Sequence, residues 1–363
     1  MTKDLHISYA AQLQEKSTRL HSLLSPFYKH SITTFSSAEK GYRMRAEFRV
    51  WHEGEETFHI MFNQDTKEKF EVKTLPAACD LINEAMSAVI SFLHGNNELR
   101  SKLFQIDYLA STSNELVISM LYHKPLSEQW DIAATALQAH LSSLGKVNII
   151  GRARKQKRVI GVDYVLEKLT LNGRKYEFKQ IENSFTQPNA QINCKMIEWV
   201  SDHVKDLPGD LLELYCGAGN FSIPLSEYFN HVLATEISKT SVAAAQYNIE
   251  RNHIDNLSII RLSSEEFTQA YTKVREFYRL KEVSLDQYAF STVLVDPPRA
   301  GLDEETLSLI AKFDNIIYIS CNPETLADNL KALCNTHRVT DVALFDQFPF
   351  THHIETGVIL TRC

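Results

Sequence analysis

The apolar positions of this chain change rhythm near residue 175. Beyond it, short apolar runs ("DLLELYCG", "HVLATEI", "STVLVDPP", "NIIYISCNP" and finally "GVIL") are separated by stretches with helical spacing. Compact apolar runs between helices mark strands buried on both faces of a parallel sheet, and they predict a doubly wound α/β unit. "NSFTQPNAQINCKMIEWVSDHV" leads into that unit as a helix over about 188–204, with Pro188 at a favourable first-turn position.

Upstream the pattern is mixed. Residues 7–29 have helical spacing, and "YRMRAEFRVWHEGEETFHIMFNQDTKEKFEV" alternates polar and apolar positions around hairpin-like breaks, as antiparallel strands do. "AACDLINEAMSAVISFLHGN" reads as a helix stopped at Gly95-Asn96, and "SEQWDIAATALQAHLSSLG" as another. Between them "LFQIDYLASTSNELVISMLYHK" reads as two strands around a polar turn. Strands and helices without strict alternation predict an α+β domain. The expected boundaries are 1–175 and 176–363.

Composition supports two ordered domains: 363 residues, 44% apolar and 23% charged. The N-terminal twenty residues carry charges throughout, unlike a secretory signal. No apolar run approaches the ~20 residues that span a bilayer, so no membrane association is expected. The six cysteines are scattered without a C-x-x-C pair, which argues against zinc ribbons and disulfide frameworks and for a reduced, cytoplasmic protein. The net charge of −7 divides unevenly: residues 1–180 carry a balance of +4 and residues 181–363 one of −11. A mildly basic half joined to an acidic one fits a polyanion-facing module attached to a catalytic one.

Four of the downstream runs end in polar or reactive residues: Tyr215-Cys216-Gly217, Glu236, Asp296 and Cys321. Ligands of doubly wound sheets bind outside the carboxyl ends of strands. Gly217-x-Gly219 lets the chain turn sharply and lets a ligand approach without a Cβ in the way. Glu236 follows Gly219 by seventeen residues, where a carboxylate can accept hydrogen bonds from ribose hydroxyls. NAD would satisfy both features. Against it, Ser222 replaces the third glycine of the dinucleotide fingerprint and a helix precedes the first strand, so S-adenosylmethionine is favoured.

Asp296 opens "DPPRAGLD", where two prolines stiffen the loop. A related Asp-Pro-Pro-aromatic motif serves amino-group methylation, but Arg299 stands at the aromatic position here. After Cys321, Asn322 as N-cap and Pro323 as first helical residue predict a helix start. A thiol beside a helix N-terminus is expected to favour its thiolate. A thiolate and a methyl donor together suit carbon 5 of a pyrimidine, which is too weak a nucleophile until a thiol adds at carbon 6. The carbon 5 proton must then leave to a base. "FPFTHHIETGV" offers His352, His353 and Glu355. Its spacing suits no metal site, and it leaves Glu355 as one candidate base without singling it out.

Together "DLLELYCGAGNFS", "DPPRAGLD", "YISCNPETL" and "FPFTHHIETGV" resemble the RNA uracil-C5-methyltransferase family. "YRMRAEFRVWH" and "KLFQIDYL" resemble its bacterial tRNA branch, which modifies a T-loop uridine. The resemblance implies a C-terminal Rossmann-like S-adenosylmethionine methyltransferase domain and an N-terminal α+β RNA-binding domain. It implies Cys321 as nucleophile and Glu355 as base. It also implies cofactor contacts from Gln187, Tyr215, Gly217, Gly219, Asn220, Glu236 and Asp296, no metal, and Arg299 in the uracil pocket. Ribosomal-RNA members carry an added β-barrel and an iron–sulfur cysteine cluster. This chain has neither, so its RNA contacts are expected from residues 1–180.

Candidates there are Arg43, Arg45 and Arg49, Phe104, His123-Lys124 and the basic run "GRARKQKR" at 151–158. Arginines pair with phosphates and aromatics stack on displaced bases. The same residues also suit a solvated strand face or a core. The expected partner is the tRNA T arm or an RNA with a T-like arm, bound by a monomer. Amino-group methylation and a non-catalytic RNA-folding role are the alternatives.

Overall fold

The computed structural model describes residues 8–63 and 65–363. The expected helix start at residue 7 lies outside them; the helix found is Tyr9–Leu24, N-capped by Ser8, whose hydroxyl accepts from Ala11 N at 3.3 Å. The chain forms two compact units. One comprises the residues through Ser37, Thr170–Glu177 and Gln191–Cys363; the other comprises Ala38–Leu169 and Phe178–Ala190.

The larger unit is built on an eight-stranded sheet. Its strand order is Thr33–Phe35, His337–Phe345, Glu355–Arg362, Asn315–Ser320, Phe290–Val295, Asp210–Leu214, Val232–Thr235 and Leu257–Ile260. The central strands are buried along their whole length, as their unbroken apolar runs require. Order reverses at Asp210–Leu214, whose two neighbours both run parallel to it. This is the crevice position for a ligand. One strand departs from the expected parallel sheet: Glu355–Arg362 is antiparallel to both of its neighbours. Thr33–Phe35, Leu257–Ile260 and His337–Phe345 were not expected as strands. The first is an exposed edge, the second has only four residues, and the third begins on polar positions.

The N-terminal helix belongs to this unit, so the compact units divide the chain differently from a cut at residue 175. Leu20 and Leu24 are fully buried in one core with Ile316, Leu326, Leu330 and Leu344, and that apolar stripe decides which unit the helix joins. The chain also passes between the units within a hairpin, Tyr164–Leu171 and Arg174–Ile181, which turns at Asn172 and Gly173 (φ 48° and 82°). Two successive left-handed residues are what a type I′ turn needs. The next helix is Ala190–Val204. Pro188 precedes it rather than occupying its first turn, and the Pro188 carbonyl instead accepts from Met44 N at 2.8 Å.

The smaller unit is α+β as expected. Its seven-stranded sheet has the order Lys69–Glu71, Glu56–Phe62, Arg45–Glu53, Leu103–Ala110, Glu115–Tyr122, Lys146–Ala153 and Gln156–Ile160. Every pairing is antiparallel except that of Glu115–Tyr122 with Lys146–Ala153, which the helix Glu128–His140 connects. That crossover and the helix Asp80–Leu93 cover one sheet face. Ile82, Met86, Val89 and Leu93, at helical spacing, pack with Phe48, Ile106 and Met120.

Gly151 lets the crossover helix approach its strand. A Cβ there would lie 2.6 Å from the ring of Trp130 and 2.7 Å from Leu126. Gly151→Val should therefore destabilise this unit by about 1–3 kcal/mol through overpacking. The check is a urea denaturation midpoint followed by Trp fluorescence; an unchanged midpoint would contradict this packing.

Candidate active site

Register brings the expected site residues of the larger unit to one edge. Leu214 pairs with both Thr235 and Val295, and Val295 pairs with Tyr318. One residue further along these parallel strands stand Glu236, Tyr215 and Asp296, in a row. On the far side Ser320 pairs with Thr356 across the antiparallel strand. Continuing that register by one step sets Cys321 opposite Glu355. Cα atoms of directly opposed residues lie about 4.5–5.5 Å apart in such pairs.

At the first loop, Tyr215 holds a left-handed φ of 64°, followed by Gly217 at 57° and Gly219 at 84°. A non-glycine residue held there is strained, a feature concentrated at ligand sites. A Cβ on Gly217 would meet nothing within 4 Å, so open space lies over that backbone. Glu236 anchors the loop from the next strand: its two carboxylate oxygens accept from Gly217 N at 3.0 Å and Ser238 N at 2.7 Å. Each oxygen retains a lone pair for a ligand hydroxyl. The side chain of Asn220 exchanges hydrogen bonds with Asn193 at 2.9 and 2.8 Å, tying the loop to the helix Ala190–Val204.

Beside this loop lies a cavity of about 580 Å³, lined by Tyr215, Glu236, Leu262, Ser263, Ser264 and Pro298 among others. The Tyr215 hydroxyl donates to Ser264 Oγ at 2.6 Å. Buried Thr235 Oγ1, also in the lining, has no hydrogen-bond partner. A mostly apolar cavity with a few placed polar groups fits a nucleoside. With the bare backbone of Gly217 and the ribose-binding geometry of Glu236, these residues fit the adenosyl group of S-adenosylmethionine. The sequence reading missed Ser264 and Thr235. Ser263 and Glu266 form a reciprocal capping box at the start of the helix Ser264–Tyr271, and their S-x-x-E spacing was a legible signal.

The helix start after Cys321 is as expected: Asn322 accepts from Glu324 N at 3.2 Å and Pro323 opens the helix. The expected thiolate is not favoured, however. Burial pushes the Cys321 thiol up to about 11, the charges of Glu355 and Asp296 push the same way, and Arg299 only partly opposes them. Burial also raises the carboxyl of Glu355 well above the ordinary range, with Asp296 adding repulsion, and burial raises Asp296 in turn. Burial and mutual repulsion thus both disfavour ionising the two carboxyls together. Glu213, wholly buried on the first strand and bonded by the Ser222 hydroxyl, is raised to about 8, chiefly by burial. Arg299 is exposed, with a nitrogen 3.5 Å from His353 Nδ1, and its carbonyl accepts from Asn322 Nδ2 at 3.0 Å. Among the described residues, no three His, Cys, Asp or Glu side chains are placed to hold a metal ion.

In the smaller unit Gln187 lies on the segment leading to Ala190, and the RNA candidates separate sharply. Arg45 is built into the fold, donating to the carbonyls of Ser184 at 2.8 Å and Glu182 at 2.7 Å. Phe104 sits at a β-bulge between Leu103 and Gln105, a device that re-aims a side chain. Its ring stacks on His123 at 3.9 Å, and the Arg49 guanidinium lies 5.7 Å from its centroid. Arg49 and His123 are exposed. In the 151–158 run, Arg152 pairs with Glu182, Lys157 with Asp163 at 2.5 Å and Arg158 with Asp131. Arg154 and Lys155 are left exposed at the hairpin tip. Lys124 pairs with Glu98 at 3.1 Å.

A thiol with a pKa near 11 makes a directly testable statement. Alkylation of Cys321 by iodoacetamide, followed by peptide mass, should still accelerate between pH 8 and 10, because only the thiolate reacts. Glu355→Gln removes a charge that opposes ionisation and should shift this profile to lower pH. A wild-type plateau at pH 8 would contradict the arrangement.

Comparison with known proteins identifies the family. Residues 8–363 match the family described as tRNA (Uracil-5-)-methyltransferase. A tRNA/tmRNA (uracil-C(5))-methyltransferase of Pseudoalteromonas atlantica is 54% identical over 354 residues, 98% of this chain and 97% of that one. The protein so named in Actinobacillus pleuropneumoniae is 55% identical over 360 residues, 98% of each chain. Among solved structures, the Pyrococcus abyssi tRNA (uracil-54, C5)-methyltransferase in complex with S-adenosyl-L-homocysteine superposes with a TM-score of 0.74 at 20% identity, covering 98% of this chain and 84% of that one. That likeness is one of fold. The chain belongs to the tRNA (uracil-5-)-methyltransferase family.

Proposed function

We propose that this protein methylates carbon 5 of the T-loop uridine of tRNA through a covalent bond between Cys321 and carbon 6. The observation that carries the reading is the strand register that sets Cys321 opposite Glu355, at the sheet edge that also bears Glu236, Tyr215 and Asp296. S-adenosylmethionine, held by Glu236, Tyr215, the glycine loop and Ser264, supplies an electrophilic methyl group when bound. Asp296, at the end of the strand between that loop and Cys321, is assigned to the cofactor as well.

Cys321 attacks carbon 6 and gives its proton to solvent as the bond forms; the carbon 5–carbon 6 double bond becomes an enolate whose carbon 5 is nucleophilic. Burial and the neighbouring carboxyls raise the pKa of Cys321, so the free thiol resists ionisation. Arg299 is the cation beside it that favours ionisation. After methyl transfer Glu355 takes the carbon 5 proton, and elimination restores the double bond and frees the thiol. A buried carboxylate with a raised pKa is a stronger base than an exposed one. The uridine must leave its stack to reach this site. The column of exposed Arg49, half-buried Phe104 and exposed His123 offers a stacking surface and a cation for the T arm. The relatives' names include tmRNA, which supports RNAs with T-like arms as further substrates. The reading places a monomeric enzyme in the cytoplasm, where such RNAs are found.

Incubation with S-adenosylmethionine and T-arm RNA bearing 5-fluorouridine should trap a protein–RNA adduct, because fluorine cannot leave as a proton does. Peptide mapping should place it on Cys321, and Cys321→Ala should give neither adduct nor product. Turnover by Cys321→Ala, or a methyl found on an exocyclic amine, would overturn the reading. Phe104→Ala should weaken T-arm RNA binding roughly tenfold, within the range of one lost stacking contact; a filter-binding titration matching wild type would remove Phe104 from the interface.

A further inference from the structure

Glu355 is reached through a loop, residues 346–354, that joins the strands His337–Phe345 and Glu355–Arg362. One face of the N-terminal helix grips that loop. Gln12 Nε2 donates to the Thr351 carbonyl at 2.6 Å, and Phe350 N donates to Gln12 Oε1 at 2.9 Å. Lys16 Nζ donates to Asp346 Oδ1 at 2.6 Å and to the Phe348 carbonyl at 2.9 Å. Arg19 donates to the His352 carbonyl at 3.2 Å and pairs with Glu324, in the first turn of the helix that follows Cys321. Positions 12, 16 and 19 stand four and three residues apart, on one helix face.

The central contact is an unusual way to fasten a loop. Lys16 is 4% exposed and Asp346 not at all. Burying such a pair costs desolvation that its attraction barely offsets, so ion pairs of this kind are poor sources of stability. They are directional, however, and the loop they hold runs straight into Glu355. The ladder of strand Glu355–Arg362 holds the chain after Glu355; the helix holds it before.

We propose that Lys16, with Gln12 and Arg19, positions the base: the N-terminal helix is a clasp that sets the Glu355 carboxylate against carbon 5 of the uracil bonded to Cys321. This rests on the reading of Glu355 as the base. The clasp touches neither substrate nor cofactor, so its loss should slow the step that uses Glu355 and spare the others. Misplacement by about 1 Å can cost on the order of 100-fold in such a step.

The test is single-turnover methylation of T-arm RNA by Lys16→Met, Gln12→Ala and Glu355→Gln, with adduct formation, methyl transfer and RNA release followed separately. Gln12 is only partly buried and breaks no ion pair, so Gln12→Ala keeps the fold even where Lys16→Met does not. Release of methylated RNA should slow at least about tenfold in Gln12→Ala, and further in Lys16→Met, with methylated adduct accumulating and methyl transfer within about twofold of wild type. Release at the wild-type rate in Gln12→Ala would overturn the clasp. So would a parallel fall in every step that tracks only the folded fraction. Glu355→Gln separates the two readings. If it too releases RNA normally, Glu355 is not the base; if it stalls while the clasp variants do not, the clasp alone fails.

Discussion

The site depends on one reversed strand. Had Glu355–Arg362 run parallel like the other strands, its first residue would lie at the opposite edge of the sheet from Cys321. Antiparallel pairing with Asn315–Ser320 instead brings the start of one strand beside the end of the other, and the register of Ser320 with Thr356 makes the next residues Cys321 and Glu355. Cys321 and Glu355, the proposed nucleophile and base, thus stand at adjoining strand ends, one residue past the first ladder and on the first residue of the second. Rigid elements of this kind hold catalytic geometry better than loops do.

The same placement fixes the electrostatics. Strand ends inside a covered sheet are poorly hydrated, so the groups gathered there resist ionisation: Cys321 as thiolate, Asp296 and Glu355 as carboxylates, and Glu213 beneath them. The acidic balance of the C-terminal half is therefore partly internal, a set of carboxyls gathered at the strand ends of one sheet. Several basic residues of the other half serve the fold itself. Arg45, Arg152 and Arg158 fasten its own segments together, whereas Arg49, Arg154 and Lys155 stay exposed.

Much of this was legible in the sequence because buried strands and their polar ends leave short, unmistakable runs. The glycine loop, Glu236, Asp296 and the capped helix after Cys321 stand where the apolar pattern put them. The reversal of the last strand was not legible, since direction leaves no trace in a run such as "GVIL". The raised thiol was not legible either: the sequence shows the helix beside Cys321 but not Glu355 and Asp296 in front of it. The membership of the N-terminal helix was decided by Leu20 and Leu24 packing across some three hundred residues of sequence, which no local pattern records. Phe104 shows the reverse case, where an aromatic that could have been core sits at a bulge in its strand and is left half-buried against His123.

The pairing of Cys321 with Glu355 is tested most directly by following the hydrogen on carbon 5. With T-arm RNA tritiated there, the wild-type protein should release one tritium for each methyl transferred. Glu355→Gln should transfer the methyl while tritium stays on a covalent protein–RNA adduct. Tritium released in step with methyl transfer by Glu355→Gln would contradict the account, because another group would then be taking the proton.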